Sequence, residues 1–302
     1  MARRFKWTRP QLDKLDAVRE VLADLEEYKP LTLRQVYYQL VGKGVIENTV
    51  SQYTMLSNLL KWARLDGYVS WEDIEDRVRA VHDGEGWWDS EQFIKAHLEH
   101  FLDGYRRHLL QSQDVFLEVW IEKDALSRLF SQITTEYCVS TVVCRGFSSI
   151  SFLHDYQVRA EWHQSQGRQP VMLYFGDFDP SGNEMALAMG TTLREEMRVE
   201  DLCIKKIALT LGDITKYNLP HDPRALKKKD TRARKHVEQY GLLAVELDAL
   251  SPDVLEEKIR GAIGAEIDVD LSNREQEIER RELTELAEIK GRVSSFIENE
   301  LL

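Results

Sequence analysis

Two carboxylates two residues apart follow an apolar run in the segment VMLYFGDFDPSGNEM. The run has the character of a buried strand ending at Gly176, and Asp177 and Asp179 come directly after it. In extended chain, residues i and i+2 point to the same side, so both carboxylates can bind one hard cation. A D-x-D pair by itself is a weak signal, because it also occurs in aspartyl phosphatases, in sugar transferases and in ordinary loops.

A third acid strengthens this signal. In VFLEVWIEKDAL, Glu122 stands at the end of an earlier predicted strand, just before a helix. Open parallel sheets bind ligands at the carboxyl ends of their strands, so two strands would deliver Glu122, Asp177 and Asp179 to one edge. Mg²⁺ prefers a few carboxylates and completes its shell with water and substrate phosphate. It stabilises the charge that builds up in phosphodiester cleavage. The sequence therefore predicts a Mg²⁺ site, with Mn²⁺ as an alternative occupant.

The elements that must position these acids are short apolar runs alternating with helices from Val115 onward. The runs are VFLEVWI, VSTVVC, VMLYFG and CIKKIAL. Such alternation predicts an α/β fold with a mostly parallel, Rossmann-like sheet and crossover helices. The tail from Ser272 to Leu302 is predicted to be a charged helix that covers the sheet or docks on a partner.

The N-terminal region is predicted to be helical. Residues 8–27 have an amphipathic pattern, Thr32 and Gln35 form a capping box that opens LRQVYYQLVGK, and a third helix runs over 49–66. With a strand-like pair around 67–71, this pattern predicts a winged helix-turn-helix. The third helix would face a DNA groove with Gln52, Ser57, Asn58, Lys61 and Arg64. A helical bundle that packs on a partner protein is the alternative.

These patterns divide the chain into three segments. Residues 1–82 are predicted to form the winged-helix domain, 83–112 a linker with a long helix over about 90–111, and 113–302 the sheet domain with C-terminal helices. No run is long enough to span a bilayer, and no secretory signal precedes the first helix. Three cysteines without C-x-x-C spacing argue against disulfides and zinc, so a cytoplasmic location is expected.

Charge is unevenly distributed along the 302 residues, whose net formal charge is −12. Non-specific DNA binding requires cations that neutralise phosphates, and local basic patches can supply them in an acidic protein. A solvated surface is the alternative explanation of such patches. The residues predicted to contact DNA are Lys61, Arg64, Lys227, Lys228, Lys229 and Arg232.

Two motifs resemble those of known families. A glutamate followed by a D-x-D pair resembles the Toprim domain of topoisomerases, primases and several nucleases. TLRQVYYQL, with Arg34, Tyr37 and Tyr38, resembles the R-x-x-[FY]-Y motif in the A subunit of DNA topoisomerase VI and its meiotic double-strand-break relatives. The order of the parts is also similar, and VELDALS (245–251) resembles the acidic segment that closes the family's Toprim region.

The resemblance implies a DNA-cleaving transesterase. Tyr38 would attack the backbone and form a 5′-phosphotyrosyl link, with Arg34 beside the phosphate and Tyr37 in a structural role. It also implies a homodimer acting on double-stranded DNA, in which the tyrosine of one protomer meets the Toprim site of the other. The chain resembles a short, stand-alone A subunit. It has no Gly-rich phosphate loop, so ATP coupling would require a separate ATPase subunit, and no membrane partner is expected.

Other functions remain open from the residues alone. Toprim nucleases, including a relative in plasmid-defence systems with the same two-domain order, hydrolyse DNA with activated water and need no tyrosine. A DNA-binding or regulatory protein with a vestigial site is a third hypothesis, which the net negative charge favours. The tyrosine pair is also compatible with a buried aromatic stripe on a helix.

Overall fold

The computed structural model describes residues 5–75, 86–144, 149–221 and 231–300. The chain forms two compact units that interleave in sequence. The larger unit contains residues 1–78 and 115–266, and the smaller one contains 79–114 and 267–302. The fold is mixed α/β, with 59% of the residues in helices and a parallel sheet, so the α/β part of the predicted fold class is confirmed. Within the ranges given above, no helix is long and apolar enough to cross a membrane.

Three helices and a two-stranded pair form the N-terminal part of the larger unit. They are α1 (Arg9–Asp24), β1 (Leu31–Thr32), α2 (Leu33–Gly42), α3 (Val50–Leu65) and β2 (Ile74–Glu75). The predicted capping box starts α2: the Gln35 amide donates to the Thr32 hydroxyl at 3.2 Å, and the Thr32 amide donates to the Gln35 side chain at 2.8 Å. These bonds satisfy amides that have no partner within the helix. The start of α2, which carries both tyrosines, is therefore fixed by local sequence.

The strand pair expected around 67–71 is wrong in position. Gly67 has a φ of +78°, and the Ser70 amide donates to the Asp73 carboxylate at 3.2 Å, so these residues form turns. The strand comes later, at Ile74–Glu75, and pairs in parallel with Leu31–Thr32. The chain thus returns to the segment that precedes α2.

A four-stranded parallel sheet forms the centre of the larger unit. Its strands are β3 (Val115–Ile121), β4 (Ser140–Val143), β5 (Gln169–Phe175) and β6 (Cys203–Ala208), in the order β4-β3-β5-β6. The helices of this part are α5 (Ser127–Glu136), α6 (Ile150–Ser165), α7 (Pro180–Thr191), α8 (Leu211–Lys216), α9 (Thr231–Tyr240) and α10 (Pro252–Gly264). Large aromatic side chains, among them Trp120, Tyr156 and Tyr174, are fully buried on one face of the sheet. The sheet is therefore a rigid platform for the loops at its carboxyl edge.

The smaller unit is helical. In place of the long helix predicted over 90–111, α4 spans Ser90–Glu99 only, because positive φ angles at Leu102 and Gly104 end the helical path. The C-terminal helix, α11 (Val269–Glu300), is as long as its sequence pattern predicts. The Arg107 guanidinium joins the two parts of this unit through Glu282 on α11, at 2.9 Å. Half of the predicted linker, 83–88, lies outside the described residues, which resume at Gly86.

Candidate active site

The strand order places a switch point between β3 and β5. From this central pair the chain continues outward in opposite directions, to β4 on one side and to β6 on the other. Crevices at such points bind ligands in open α/β sheets. Glu122 directly follows β3, and its amide donates to the Phe175 carbonyl at 2.9 Å, which extends the ladder by one residue. Asp177 follows β5 by two residues. The sheet topology therefore brings the predicted acids to one crevice.

Backbone amides hold one oxygen of each predicted acid. Glu122 accepts the amide of Asp177 at 3.0 Å, and Asp177 accepts the amide of Leu247 at 2.7 Å. Asp179 caps α7 by accepting the Gly182 amide at 2.7 Å. Burial, with the nearby Asp179 charge, raises the pKa of Glu122 although the Asp177 amide opposes this effect. The three acids are thus positioned by main chain at the edge of the sheet.

The chemistry of this donor set fits a hard divalent cation. All three side chains are carboxylates at the end of parallel strands, and each uses one oxygen for an amide. Among the residues described, however, no three His, Cys, Asp or Glu side chains lie close enough together to hold a metal ion. Asp177 turns toward Leu247 and Asp179 toward its own helix, so a shared cation would require both side chains to reorient.

A glycine keeps the crevice compact. A Cβ at Gly182 would lie 2.3 Å from the Asp177 carbonyl oxygen and 3.1 Å from the Glu122 carboxylate. Real Cβ atoms do not approach backbone oxygens so closely, so a side chain here must displace the D-x-D loop. The tight turn from β5 into α7 therefore requires glycine at this position.

We expect Gly182→Ala to destabilise the fold by about 1–3 kcal/mol, the usual cost of forcing an extra methyl group into a packed site. The same change at Gly261, where a Cβ meets nothing within 4 Å, should stabilise α10 by up to about 1 kcal/mol. Chemical denaturation of both variants measures the difference. Equal stabilities of the two alanine variants would show that the loop tolerates displacement.

Two lysines bring positive charge to the crevice. The Lys123 ammonium lies 2.5 Å from Asp248, 3.2 Å from Asp177 and 3.3 Å from Glu246. Burial opposes its charge, but these acids raise its pKa above the usual value. The Lys206 ammonium donates to the Asp177 carbonyl at 3.0 Å, and burial lowers its pKa to about 8. Charge at this edge is therefore partly balanced without a metal.

The predicted tyrosine and arginine converge on a carboxylate that the sequence interpretation did not single out. The Tyr38 hydroxyl donates to Glu246 Oε2 at 2.9 Å, and Arg34 Nη1 donates to the same oxygen at 2.8 Å. The two residues lie one turn apart on α2, so their side chains share a face. Burial, followed by the Glu246 charge, raises the pKa of Tyr38 well above its usual value. In this arrangement Tyr38 is a neutral phenol.

Tyr37 points to a different part of the molecule. Its hydroxyl donates to the Asn48 side chain and to the Thr49 carbonyl, both at 3.1 Å. These contacts fix the loop between α2 and α3. The adjacent tyrosines therefore differ in surroundings: Tyr37 supports a loop, whereas Tyr38 faces the charged residues of the sheet edge.

Comparison with models of known protein families finds no match, and no curated protein matches the chain in sequence.

The residues predicted to bind DNA fall into two groups. Lys61 is exposed on α3, whereas Arg64 is half-buried, with its guanidinium over the Trp71 ring and one nitrogen 3.4 Å from the Ile74 carbonyl. The Arg64 side chain thus lies mainly in the wall of a cavity between α3 and the sheet edge, and less on the outer face of its helix. Lys227, Lys228 and Lys229 lie outside the described residues, as does the side chain of Arg232.

Sequence reasoning did not assign roles to Glu246, Asp248 and Lys206. Asp248 is fully buried, and its Oδ1 has no hydrogen-bond partner within the part of the chain that the structure describes. The acid-x-acid spacing in VELDALS was a usable signal, since it repeats the spacing of Asp177 and Asp179. Lys206 left no such signal, because a lysine in a strand is usually a solvent-exposed residue.

Metal affinity should depend on pH through Asp177. Burial raises the pKa of this carboxyl to about 7, with Lys123 opposing the shift and Glu122 adding to it. A cation binds the deprotonated form and must displace the proton, so affinity rises with pH until Asp177 is ionised. We expect Mn²⁺ to bind about tenfold more tightly at pH 8 than at pH 6. Calorimetric titration measures this, and Asp177→Asn should bind weakly with little pH dependence.

Proposed function

We propose that the chain cleaves DNA by tyrosine transesterification, with Tyr38 as the nucleophile and Mg²⁺ as the cofactor. The observation that carries the proposal is the contact of Tyr38 and Arg34 with Glu246, which in turn lies beside Lys123 and, through it, Asp177. Tyr38 and Arg34 are thus linked through Glu246 and Lys123 to one strand-end acid, Asp177, within one compact unit.

The proposed reaction exchanges one phosphodiester for another. The Tyr38 oxygen bonds to phosphorus, and the bond between phosphorus and the 3′ oxygen breaks. The tyrosine loses its proton and the 3′ oxygen gains one, so no other reactant is consumed. The Arg34 guanidinium binds the non-bridging oxygens in the geometry that suits a phosphate. Glu122, Asp177 and Asp179 would hold Mg²⁺, which stabilises charge on the phosphate and on the leaving oxygen.

The finer architecture belongs to the same proposal. Residues 5–75 act as a winged-helix-type DNA-binding part, and the parallel sheet acts as a Toprim domain. Double-stranded DNA is the substrate, and two copies of the chain make paired breaks. The support for this architecture is the parallel sheet with acids at its switch point, behind a helical segment that carries the tyrosine. Coupling to ATP would depend on a separate subunit.

Hydrolysis by a metal-activated water is the second candidate function. The Tyr38 residue is only 8% exposed, and the raised pKa of its hydroxyl disfavours the phenolate. The acids do not depend on the tyrosine for their positions, because backbone amides hold them. A Toprim-type nuclease with a non-reacting Tyr38 therefore uses the same metal site.

The deciding experiment is a search for a covalent product. The chain is incubated with supercoiled plasmid in Mg²⁺, Mn²⁺ or EDTA, and the reaction is stopped with detergent. We expect metal-dependent breaks whose 5′ ends carry protein and whose 3′ ends are free hydroxyls. Cleavage with free 5′ phosphates would favour the nuclease. The absence of cleavage under every metal condition would contradict both functions and favour a DNA-binding protein.

A further inference from the structure

The three donors around Glu246 have the arrangement of an anion subsite. Arg34 Nη1 and the Tyr38 hydroxyl donate to Oε2 at 2.8 and 2.9 Å, and the Lys123 ammonium lies 3.3 Å from the same oxygen. Two cations and a hydroxyl thus surround one oxygen. Charged donors in such a fork bind phosphate oxygens as readily as carboxylate oxygens. The donors come from α2 and from the loop after β3, so the fold rather than local sequence brings them together.

We infer that Glu246 is an internal plug in the subsite for a DNA backbone phosphate, and that this phosphate must displace the Glu246 side chain to reach Arg34, Tyr38 and Lys123. The inference rests on the proposed action on DNA and adds to it a resting state in which the enzyme supplies its own anion. It also assigns Lys123 to phosphate binding.

The surroundings of the plug leave room for this exchange. A cavity of about 200 Å³ on one side is lined by Arg34, Tyr38 and Glu246. A larger one of about 620 Å³ on the other side is lined by Arg34, Lys123 and Arg64. Arg34 lines both cavities. The wall of the larger cavity also contains polar side chains and three acids, namely Thr32, Tyr53, Ser57, Glu75, Asp124 and Asp248.

The plug itself is able to leave. The Glu246 side chain is 29% exposed, whereas the Asp248 side chain beside it is fully buried. Glu246 precedes a short 3₁₀ turn over Leu247–Ala249, and the amide of Leu247 is held by Asp177. Rotation of the Glu246 side chain into solvent therefore requires no movement of the backbone. Lys123 keeps Asp177 and Asp248 as partners after the plug has moved.

The test compares variants in binding to a short DNA duplex without metal. Glu246→Gln keeps the shape of the plug and removes its charge, so repulsion of the incoming phosphate disappears. We expect binding to tighten about tenfold in EDTA at low salt. Glu47→Gln removes the same charge from an exposed loop of the same helical segment and should change binding by less than about twofold. Thermal unfolding of both variants checks that each is folded.

A second variant keeps the inference open to refutation. If the gain comes from freeing Arg34, it must disappear in the double variant Arg34→Gln, Glu246→Gln. Unchanged or weaker binding by Glu246→Gln would overturn the plug, as would a gain that survives loss of Arg34. The result of this binding test can be distinguished from the result of the search for a covalent product. A covalent product with no gain in binding leaves the transesterase without a plug, whereas a gain with no covalent product leaves the phosphate subsite without a tyrosine nucleophile.

Discussion

Replacing Tyr38 with phenylalanine should abolish the covalent protein–DNA product. The change removes one hydroxyl, and no other group in contact with Glu246 can form the phosphotyrosyl bond. Stability should fall by only about 1 kcal/mol, the typical net value of one hydrogen bond, because Glu246 keeps Arg34 and Lys123. The measurement is the yield of 5′-linked protein on denaturing gels at saturating Mg²⁺. We expect a fall below the detection limit.

Tyr37→Phe is the matched control on the same helix. It removes an equivalent hydroxyl from a side chain that faces the loop at Asn48 and Thr49. We expect a small loss of stability and a normal yield of covalent product. A covalent product that persists in Tyr38→Phe but disappears in Tyr37→Phe would show that Tyr37, and not Tyr38, is the nucleophile. Metal-dependent cleavage by Tyr38→Phe with free 5′ phosphates would instead establish hydrolysis.

The second large effect is expected for Asp177→Asn. This carboxylate lies at the switch point of the sheet, and its Oδ1 accepts the Leu247 amide and lies 3.2 Å from Lys123. Asparagine keeps the acceptor for Leu247 and removes the charge that a metal needs. We expect cleavage of either kind to slow by about a thousandfold, because loss of electrostatic stabilisation at a reacting phosphate has effects of this order. Initial rates of plasmid cleavage at several Mg²⁺ concentrations measure it.

Asp213→Asn provides a comparison for Asp177→Asn. Asp213 is equally buried, follows the neighbouring strand β6, and pairs with Lys258 at 2.8 Å, but it takes no part in the crevice. Its replacement should lower stability and leave the cleavage rate of the folded protein unchanged. If both variants lose cleavage in proportion to their stability, the effect of Asp177 is structural and the proposed metal site is wrong.

Sequence alone determined the features that depend on neighbouring residues. The capping box of Thr32 and Gln35 fixed the start of α2, and the alternating apolar runs fixed the parallel sheet. The placement of Glu122 and Asp177 at one edge followed as well, because strand ends are local features and parallel strands share their direction. The long helix predicted over 90–111 was wrong, since α4 ends at Glu99 and the backbone turns away with positive φ at Leu102 and Gly104, although the apolar pattern continues past them.

Only the tertiary structure decided which charges meet. Glu246 is more than two hundred residues from Arg34 and Tyr38, as the separations of 212 and 208 positions show, and nothing in its local pattern identifies those partners. The strand order β4-β3-β5-β6 made the crevice, because the chain leaves the central pair β3 and β5 in opposite directions. The physical reason is that hydrogen bonds of helices and turns are made between near neighbours, whereas ion pairs depend on how complete elements pack. The residues of the proposed chemistry were therefore visible in the sequence, and the contacts between them only in the fold.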